Sequence, residues 1–167
     1  MLLLVLTPLN LKVGLAGRGE ALARRAALLA EAGAEARLLS PDASDEVLAP
    51  LQLLFVAGLA EGEARDLAKR ARAFGTLVNV EDALPLCDFH VPAMVRRGDL
   101  LLTVSTGGTA PGLARAFRER LAESFGPEWS GRLADLGRQR ARFRSQGLSP
   151  AEVSQKVRDL VAEKGWL

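Results

Sequence analysis

Short apolar segments alternate with longer helix-forming segments in the first half of the chain, and this order restricts the fold more than any other feature. The segments predicted as strands lie at 12–16, 36–39, 51–57 and 76–80. Helices are predicted at 20–32 and 62–74, ending at Gly33 and Gly75, because glycine readily adopts the left-handed conformation that follows a helix. The alternation predicts an α/β fold, with a parallel sheet and helices on its faces.

The second half of the chain predicts a further strand and three helices. After a short segment at 94–97, the apolar run Leu100–Val104 is predicted as a buried strand. The helices are predicted at 110–125, 129–146 and 150–164. The first of them carries an apolar stripe at a spacing of four residues, formed by Leu113, Phe117, Leu121 and Phe125. Ser149 is predicted to cap the last helix.

Composition narrows the class of protein. The chain has 167 residues and is 49% hydrophobic, which favours a globular protein over a disordered one. The single cysteine, Cys87, excludes an internal disulfide framework and a cysteine-ligated zinc finger, and it predicts a cytoplasmic location. The apolar run Met1–Leu6 has no positively charged leader and is too short to cross a bilayer. It is predicted as a strand, and no membrane partner is expected.

Charge is distributed unevenly along the chain. Residues 1–90 contain nine Lys/Arg and twelve Asp/Glu, whereas residues 91–167 contain thirteen and eight. A basic second half favours a polyanionic partner. The alternative is that these arginines form solvated helix faces. Few aromatic residues accompany them, so no nucleic acid is expected as a partner.

A glycine turn, Gly17-Arg18-Gly19, follows the first predicted strand and precedes the first helix. In a Rossmann-like fold this position holds a dinucleotide, because the glycines let the pyrophosphate approach the helix N-terminus. The third position of the fingerprint is Leu22 instead of glycine or alanine, which predicts looser packing or a shifted helix. A plain tight turn is the alternative.

Two carboxylates follow other predicted strands. Asp42 comes after the second strand, where a carboxylate accepts a hydrogen bond from a ribose hydroxyl and repels the phosphate of NADP, so the predicted cofactor is NAD. Asp82 comes after the fourth strand, where it could serve as a general base. For both residues an ordinary loop role is the alternative. The single histidine, His90, excludes a histidine-rich metal site, and a packed side chain is favoured over a ligand.

The turn formed by Ser105, Thr106, Gly107 and Gly108 separates the strand at 100–104 from the next helix. A turn rich in hydroxyl groups and glycine before a helix N-terminus is suited to binding an anion, because the backbone N–H groups there have no intrahelical partner.

Four sequence blocks resemble the precorrin-2 dehydrogenase family, which includes the N-terminal module of sirohaem synthase. They match the patterns N-V-x-D, C-x-F-x-x-P, R-R-G-D-L and S-T-G-G-x-x-P-x-L-A. In this chain the blocks are Asn79–Asp82, Cys87–Pro92, Arg96–Leu100 and Ser105–Ala114. The resemblance covers nearly the whole chain and is densest from 76 to 125.

The resemblance implies an NAD-dependent oxidation of precorrin-2 to sirohydrochlorin, a step toward sirohaem, by a homodimer. Some family members also insert ferrous iron. The implied organisation is an NAD-binding Rossmann-like domain at 1–83, a dimerisation and substrate-cleft segment at 84–125, and a small helical region at 126–167.

The resemblance also implies roles for individual residues. The key aspartate of the family corresponds to Asp82, and a family serine corresponds to Thr106. With the glycine turn, the expected cofactor contacts are Gly17, Arg18, Gly19, Glu20, Ala21, Pro41 and Asp42. The expected substrate contacts are Ser105, Thr106, Gly107, Gly108 and His90.

The chain departs from the family pattern in the part that is expected to bind the nucleotide. The third strand continues into Gly58-Leu59, where the family has polar residues, and the segment at 43–50 is short. A tetrapyrrole-binding or chelatase relative with weak NAD use is therefore one alternative. A non-catalytic NAD-sensing module is another.

Overall fold

The computed structural model describes residues 2–167, which form two compact units. The first unit ends at Val91, and the second runs from Pro92 to Leu167. Residues 84–91, which the sequence placed at the start of a dimerisation segment, thus lie in the first unit.

A four-stranded parallel sheet forms the centre of the first unit. Its strands are β1 (Val13–Gly17), β2 (Ala36–Leu39), β3 (Leu53–Ala57) and β4 (Leu77–Val80), in the order β2-β1-β3-β4. Pairing brings Ala16 opposite Leu39 and Val56 opposite Val80, so the carboxyl ends of all four strands lie at one edge. The predicted parallel sheet is confirmed.

Helices cover both faces of this sheet, as its apolar strands require. They are α1 (Gly19–Glu31), α2 (Asp45–Leu48) and α3 (Glu61–Arg72). Short 3-10 turns lie at Pro8–Asn10 and Leu84–Leu86. One core layer includes Val13, Leu15, Leu29, Leu53 and Phe55, and the other includes Leu54, Val56, Leu67, Ala68 and Val78. Leu22 is half-buried against the first layer.

The second unit combines a hairpin with three helices. Strands β5 (Ala93–Arg97) and β6 (Leu100–Val104) pair antiparallel, and α4 (Pro111–Ser124), α5 (Trp129–Ser145) and α6 (Pro150–Glu163) follow. The predicted cap of α6 is confirmed, since the Ser149 hydroxyl accepts the Glu152 N–H at 3.4 Å. Between α5 and the C-terminal residues, the Arg132 guanidinium lies 5.1 Å from the Trp129 ring centroid and 5.2 Å from that of Trp166.

Two sequence predictions about strands are wrong. Residues 2–6 form no strand, and Met1 lies outside the described residues. Backbone groups of a strand need a partner strand, and no strand within residues 2–167 pairs with this segment, whose side chains are exposed. Strand β6 is half-buried along its length, because it belongs to a sheet of only two strands. No helix in residues 2–167 has the length and apolarity needed to span a membrane.

Candidate functional site

The carboxyl edge of the parallel sheet carries three of the predicted site features. The glycine turn follows β1, Asp42 follows β2, and Asp82 follows β4. Because the strands are parallel and aligned in register, the sheet brings these three loops to the same edge. In open α/β sheets, ligands bind outside the carboxyl ends of the strands.

The glycine turn packs directly against the loop after β3. The Arg18 backbone N–H donates to the Ala57 carbonyl at 3.1 Å, and a Cβ added at Gly17 would lie 2.0 Å from that oxygen. At Gly58, whose φ is +68°, an added Cβ would lie 2.4 Å from the Arg18 carbonyl oxygen. The atoms that an added Cβ would meet at Gly17 and Gly58 are backbone oxygens, which cannot move aside as a flexible side chain can, so both positions require glycine.

The N-terminus of α1 opens beside this turn. The helix begins at Gly19, with φ +63°, and the preceding Arg18 makes no side-chain cap. The first N–H groups of a helix, which here include those of Glu20 and Ala21, have no intrahelical partner. A Cβ at Gly19 would meet no heavy atom within 4 Å, so the space over the helix end is open.

The Arg18 side chain is held by α3. Its two terminal nitrogens donate to the two carboxylate oxygens of Glu63, at 2.9 and 3.0 Å. This hydrogen bonding holds the pKa of Glu63 below its usual value. Glu63 is not among the residues predicted from the sequence, although a glutamate in the first turn of a helix that follows a core strand is a recognisable signal.

Asp42 lies exposed in the turn after β2, together with half-buried Pro41. The Ser40 hydroxyl donates to the Asp42 carboxylate. That hydrogen bond is the main reason why the pKa of Asp42 is lowered, and the positive charge of Arg18 lowers it further. Asp42 is therefore ionised at neutral pH.

Asp82 is exposed and has a left-handed backbone, with φ +59°. Two backbone hydrogen bonds anchor the residues on either side of Asp82. The Glu81 N–H donates to the Val56 carbonyl at 2.9 Å, and the Ala83 N–H donates to the Val80 carbonyl at 3.3 Å. Aspartate and asparagine tolerate this conformation better than other non-glycine residues.

Cys87 closes the loop that carries Asp82. Its sulfur accepts the Val80 N–H at 3.3 Å and lies 3.1 Å from the Val80 carbonyl oxygen, to which the thiol donates. Beside it, the buried Asn79 amide donates to the Phe89 carbonyl at 2.9 Å. The motif around these residues therefore fixes the backbone on both sides of Asp82.

A buried cation also supports this loop. Arg25 of α1 has a side chain only 12% exposed, lies 5.5 Å from the Phe55 ring centroid, and pairs with Glu81 at 3.8 Å. Burial lowers the pKa of Arg25, and the neighbouring Glu81 carboxylate opposes that shift. Arg25 is not among the residues predicted from the sequence, because nothing in the local pattern distinguishes it from an exposed helix arginine.

The other predicted anion turn lies in the second unit, between β6 and α4. Gly107 and Gly108 have φ values of +64° and +81°, and the Ser105 hydroxyl accepts the Gly107 N–H at 3.3 Å. The Thr106 hydroxyl accepts the Ala110 N–H at 3.3 Å, one residue before α4 begins. The predicted order of strand, turn and helix is confirmed, and its ligand stays a prediction.

His90 lies in the first unit and is exposed, so the favoured reading of a packed histidine is wrong. It comes after the 3-10 turn Leu84–Leu86, in a segment without regular structure, where solvent reaches it. Among residues 2–167, no three His, Cys, Asp or Glu side chains converge as a metal site would require.

Comparison with known proteins gives the family. Residues 4–93 match a family described as "Putative NAD(P)-binding". The chain belongs to this NAD(P)-binding family.

Relatives and a solved structure extend this result. The siroheme synthase of Ectopseudomonas mendocina is 36% identical over 159 residues, covering 84% of this chain and 34% of that protein. That of Methylobacillus flagellatus is 38% identical over 138 residues, covering 71% and 29%. The chain thus spans about a third of the length of these curated relatives. SirC, a precorrin-2 dehydrogenase, has the same fold, with a TM-score of 0.74 at 19% identity, covering 96% of this chain and 89% of SirC. The resemblance and the α/β fold class are confirmed.

The residues at the carboxyl edge fit the dinucleotide of an NAD(P)-binding family. The backbone contact of Gly17 with Ala57 keeps side chains out of the turn, and open space lies beyond Gly19, at the end of α1. An anion there would meet unpartnered N–H groups, and the ionised Asp42 lies in the turn after the neighbouring strand β2, where a ribose hydroxyl is bound in such folds.

Proposed function

We propose that this chain oxidises precorrin-2 to sirohydrochlorin with NAD, a step toward sirohaem, as a cytoplasmic enzyme. The observation that carries the proposal is the meeting of the glycine turn, Asp42 and Asp82 at one sheet edge in a chain of the NAD(P)-binding family. The names of the relatives and the fold shared with SirC support this substrate. The single cysteine supports the location.

Cofactor binding is assigned to two loops of the first unit. The backbone N–H groups at the start of α1 bind the pyrophosphate, and Asp42 accepts a ribose hydroxyl. Its negative charge disfavours the 2′-phosphate of NADP, so NAD is the proposed cofactor. When bound, NAD supplies the acceptor for a hydride. The residues assigned to this role are Gly17, Arg18, Gly19, Glu20, Ala21, Pro41 and Asp42.

Asp82 is the proposed general base. Oxidation of precorrin-2 removes a hydride and a proton from the substrate, and the proton needs an acceptor at the same edge of the sheet. The Asp82 carboxylate is exposed there, and the bonds made by Glu81, Ala83 and Cys87 hold its loop in one conformation. Asp82 therefore accepts the proton without requiring the loop to rearrange.

The substrate is a macrocycle that bears carboxylates, and its binding is assigned to groups that attract anions. These are the Ser105–Gly108 turn, with its hydroxyls and the Gly108 N–H group, and His90. The guanidinium groups of Arg140, Arg142 and Arg144 pair with no carboxylate in the part of the chain that the structure describes, so they add positive charge on α5. Such charge attracts a polyanionic substrate.

A homodimer completes the proposal. Leu113 and Phe117 of α4 are 51% and 52% exposed, so half of the apolar stripe predicted on this helix is uncovered in one chain. A second copy of the segment 84–125 would cover it. Light scattering should then give twice the chain mass of 17.8 kDa.

The experiment is turnover of precorrin-2 with NAD, followed by NADH absorbance. The informative variant is Asp82→Asn, because asparagine tolerates the left-handed backbone and removes only the base. Loss of a general base lowers kcat by roughly 10²–10⁴-fold. The matched control is Asp66→Asn, which neutralises an exposed carboxylate on α3.

Two outcomes and one further assay separate the alternatives. Undiminished turnover in Asp82→Asn would remove Asp82 from the reaction. Binding of NAD by the wild-type chain without turnover would favour a sensing module. Addition of ferrous iron after turnover tests the chelatase activity that some members of the family have.

A further inference from the structure

Arg18 places a positive charge within the dinucleotide turn itself. It stands between Gly17 and Gly19, after β1, and Asp42 follows the neighbouring strand β2. In dinucleotide-binding folds, a carboxylate at the end of the second strand selects NAD, whereas an arginine nearby accommodates the 2′-phosphate of NADP. This chain carries both groups, so its choice of cofactor depends on whether the charge of Arg18 is available.

Glu63 compensates that charge. The Arg18 guanidinium donates two parallel hydrogen bonds, of 2.9 and 3.0 Å, to the Glu63 carboxylate. This bidentate geometry restricts the orientation of an arginine side chain more than a single hydrogen bond does. Glu63 is itself positioned, because it also accepts the Ala60 backbone N–H at 3.3 Å in the first turn of α3. The Arg18 side chain is thus turned toward α3.

We infer that Glu63 is a specificity-determining residue, which keeps the site selective for NAD by holding the Arg18 guanidinium away from a 2′-phosphate. The inference rests on the proposed function only in placing a dinucleotide at the glycine turn. Both side chains are partly exposed, 59% for Arg18 and 41% for Glu63, and exposed pairs of this kind are weak. Loss of the Glu63 charge therefore frees Arg18 without breaking a buried network.

An Arg18 side chain released from Glu63 favours NADP through two electrostatic effects. Its full charge attracts the 2′-phosphate, and it offsets more of the negative charge of Asp42, which repels that phosphate. The affinity for NAD, which lacks this phosphate, depends much less on Arg18. The ratio of the two affinities is therefore the sensitive quantity.

The test is titration of the full chain with NAD and with NADP, using Glu63→Gln. Glutamine keeps an oxygen that can accept the Ala60 N–H, so α3 retains its cap. The matched control is Glu61→Gln, since Glu61 lies two residues away and pairs with Arg65 on its own helix. A double variant, Arg18→Ala with Glu63→Gln, removes the cation as well. Circular dichroism confirms that each variant is folded.

We expect Glu63→Gln to raise the affinity for NADP relative to NAD about fivefold, which is about 1 kcal/mol, the upper range for an exposed ion pair. Glu61→Gln should leave the ratio unchanged, and the double variant should lose the gain. An equal ratio in Glu63→Gln and Glu61→Gln would overturn the inference, as would a gain that persists in the double variant. A wild-type chain that binds neither dinucleotide would overturn the inference together with the cofactor assignment. A chain that binds NAD but does not oxidise precorrin-2 would overturn the proposed reaction alone.

Discussion

Replacement of Gly17 by alanine tests the backbone contact on which the nucleotide turn depends. An added Cβ would lie 2.0 Å from the Ala57 carbonyl oxygen, whereas real Cβ contacts essentially never fall below 3.0 Å. The ends of strands β1 and β3 must therefore separate by about 1 Å. Such a movement would break the 3.1 Å hydrogen bond from the Arg18 N–H to the same oxygen.

The magnitude follows from these two changes. Overpacking of this kind costs about 1–3 kcal/mol, and the lost hydrogen bond costs about 0.5–1.5 kcal/mol. Together they destabilise the first unit by about 1.5–4.5 kcal/mol. The N-terminus of α1 moves with the turn, and one lost hydrogen bond to a charged pyrophosphate, worth about 1.5–3 kcal/mol, weakens NAD binding at least tenfold.

The assay is urea unfolding followed by far-UV circular dichroism, with NAD titration of the folded variant. Gly62→Ala is the matched control, because Gly62 lies in α3 and an added Cβ there would meet nothing within 4 Å. We expect this control to be neutral or more stable, by up to about 1 kcal/mol. If Gly17→Ala matched Gly62→Ala in both stability and NAD affinity, the contact argument would be refuted.

Two further predictions concern Glu63 and Cys87. Because the hydrogen bonds from Arg18 lower the pKa of Glu63 below its ordinary value of 4.5, the pair contributes stability above that pH and loses it as the pH falls through the folded-state value. The urea midpoint of the wild-type chain should therefore fall more steeply on acidification than that of Glu63→Gln, and equal slopes would contradict this. Cys87→Ala leaves the Val80 N–H without its acceptor and should cost about 1 kcal/mol more than Cys87→Ser, whose hydroxyl can replace the thiol. Unfolding of the two variants in urea measures this difference, and equal midpoints would show that a hydrogen-bond acceptor at this position adds no stability.

Local signals predicted most of the fold. Apolar runs predicted the four parallel strands within two residues of their observed limits. The helix ends at Gly33 and Gly75 have the left-handed φ that the pattern implies. These features depend on interactions within a few residues. The strand predicted at the N-terminus failed because strand formation depends on a partner elsewhere in the chain, which the sequence of the segment itself does not encode.

In the candidate site, too, some residues could be predicted from local sequence and others could not. The glycine turn, Asp42 and Asp82 could be predicted, since each follows a strand that its own sequence identifies. The partners of these groups could not. Glu63 meets Arg18 across 45 residues, and the contact depends on how α3 docks beside β3. Side-chain pairing between elements is set by packing geometry, which no local pattern reports.

The stack of Trp129, Arg132 and Trp166 has a spectroscopic consequence. The chain has two tryptophans and no tyrosine, and both indoles lie in the second unit, so intrinsic fluorescence excited at the indole band reports on that unit alone. A cation over each ring makes the emission sensitive to loss of the stack. Because circular dichroism records both units, a difference between the two optical signals during denaturation would reveal whether the halves of this chain unfold as one body or as two.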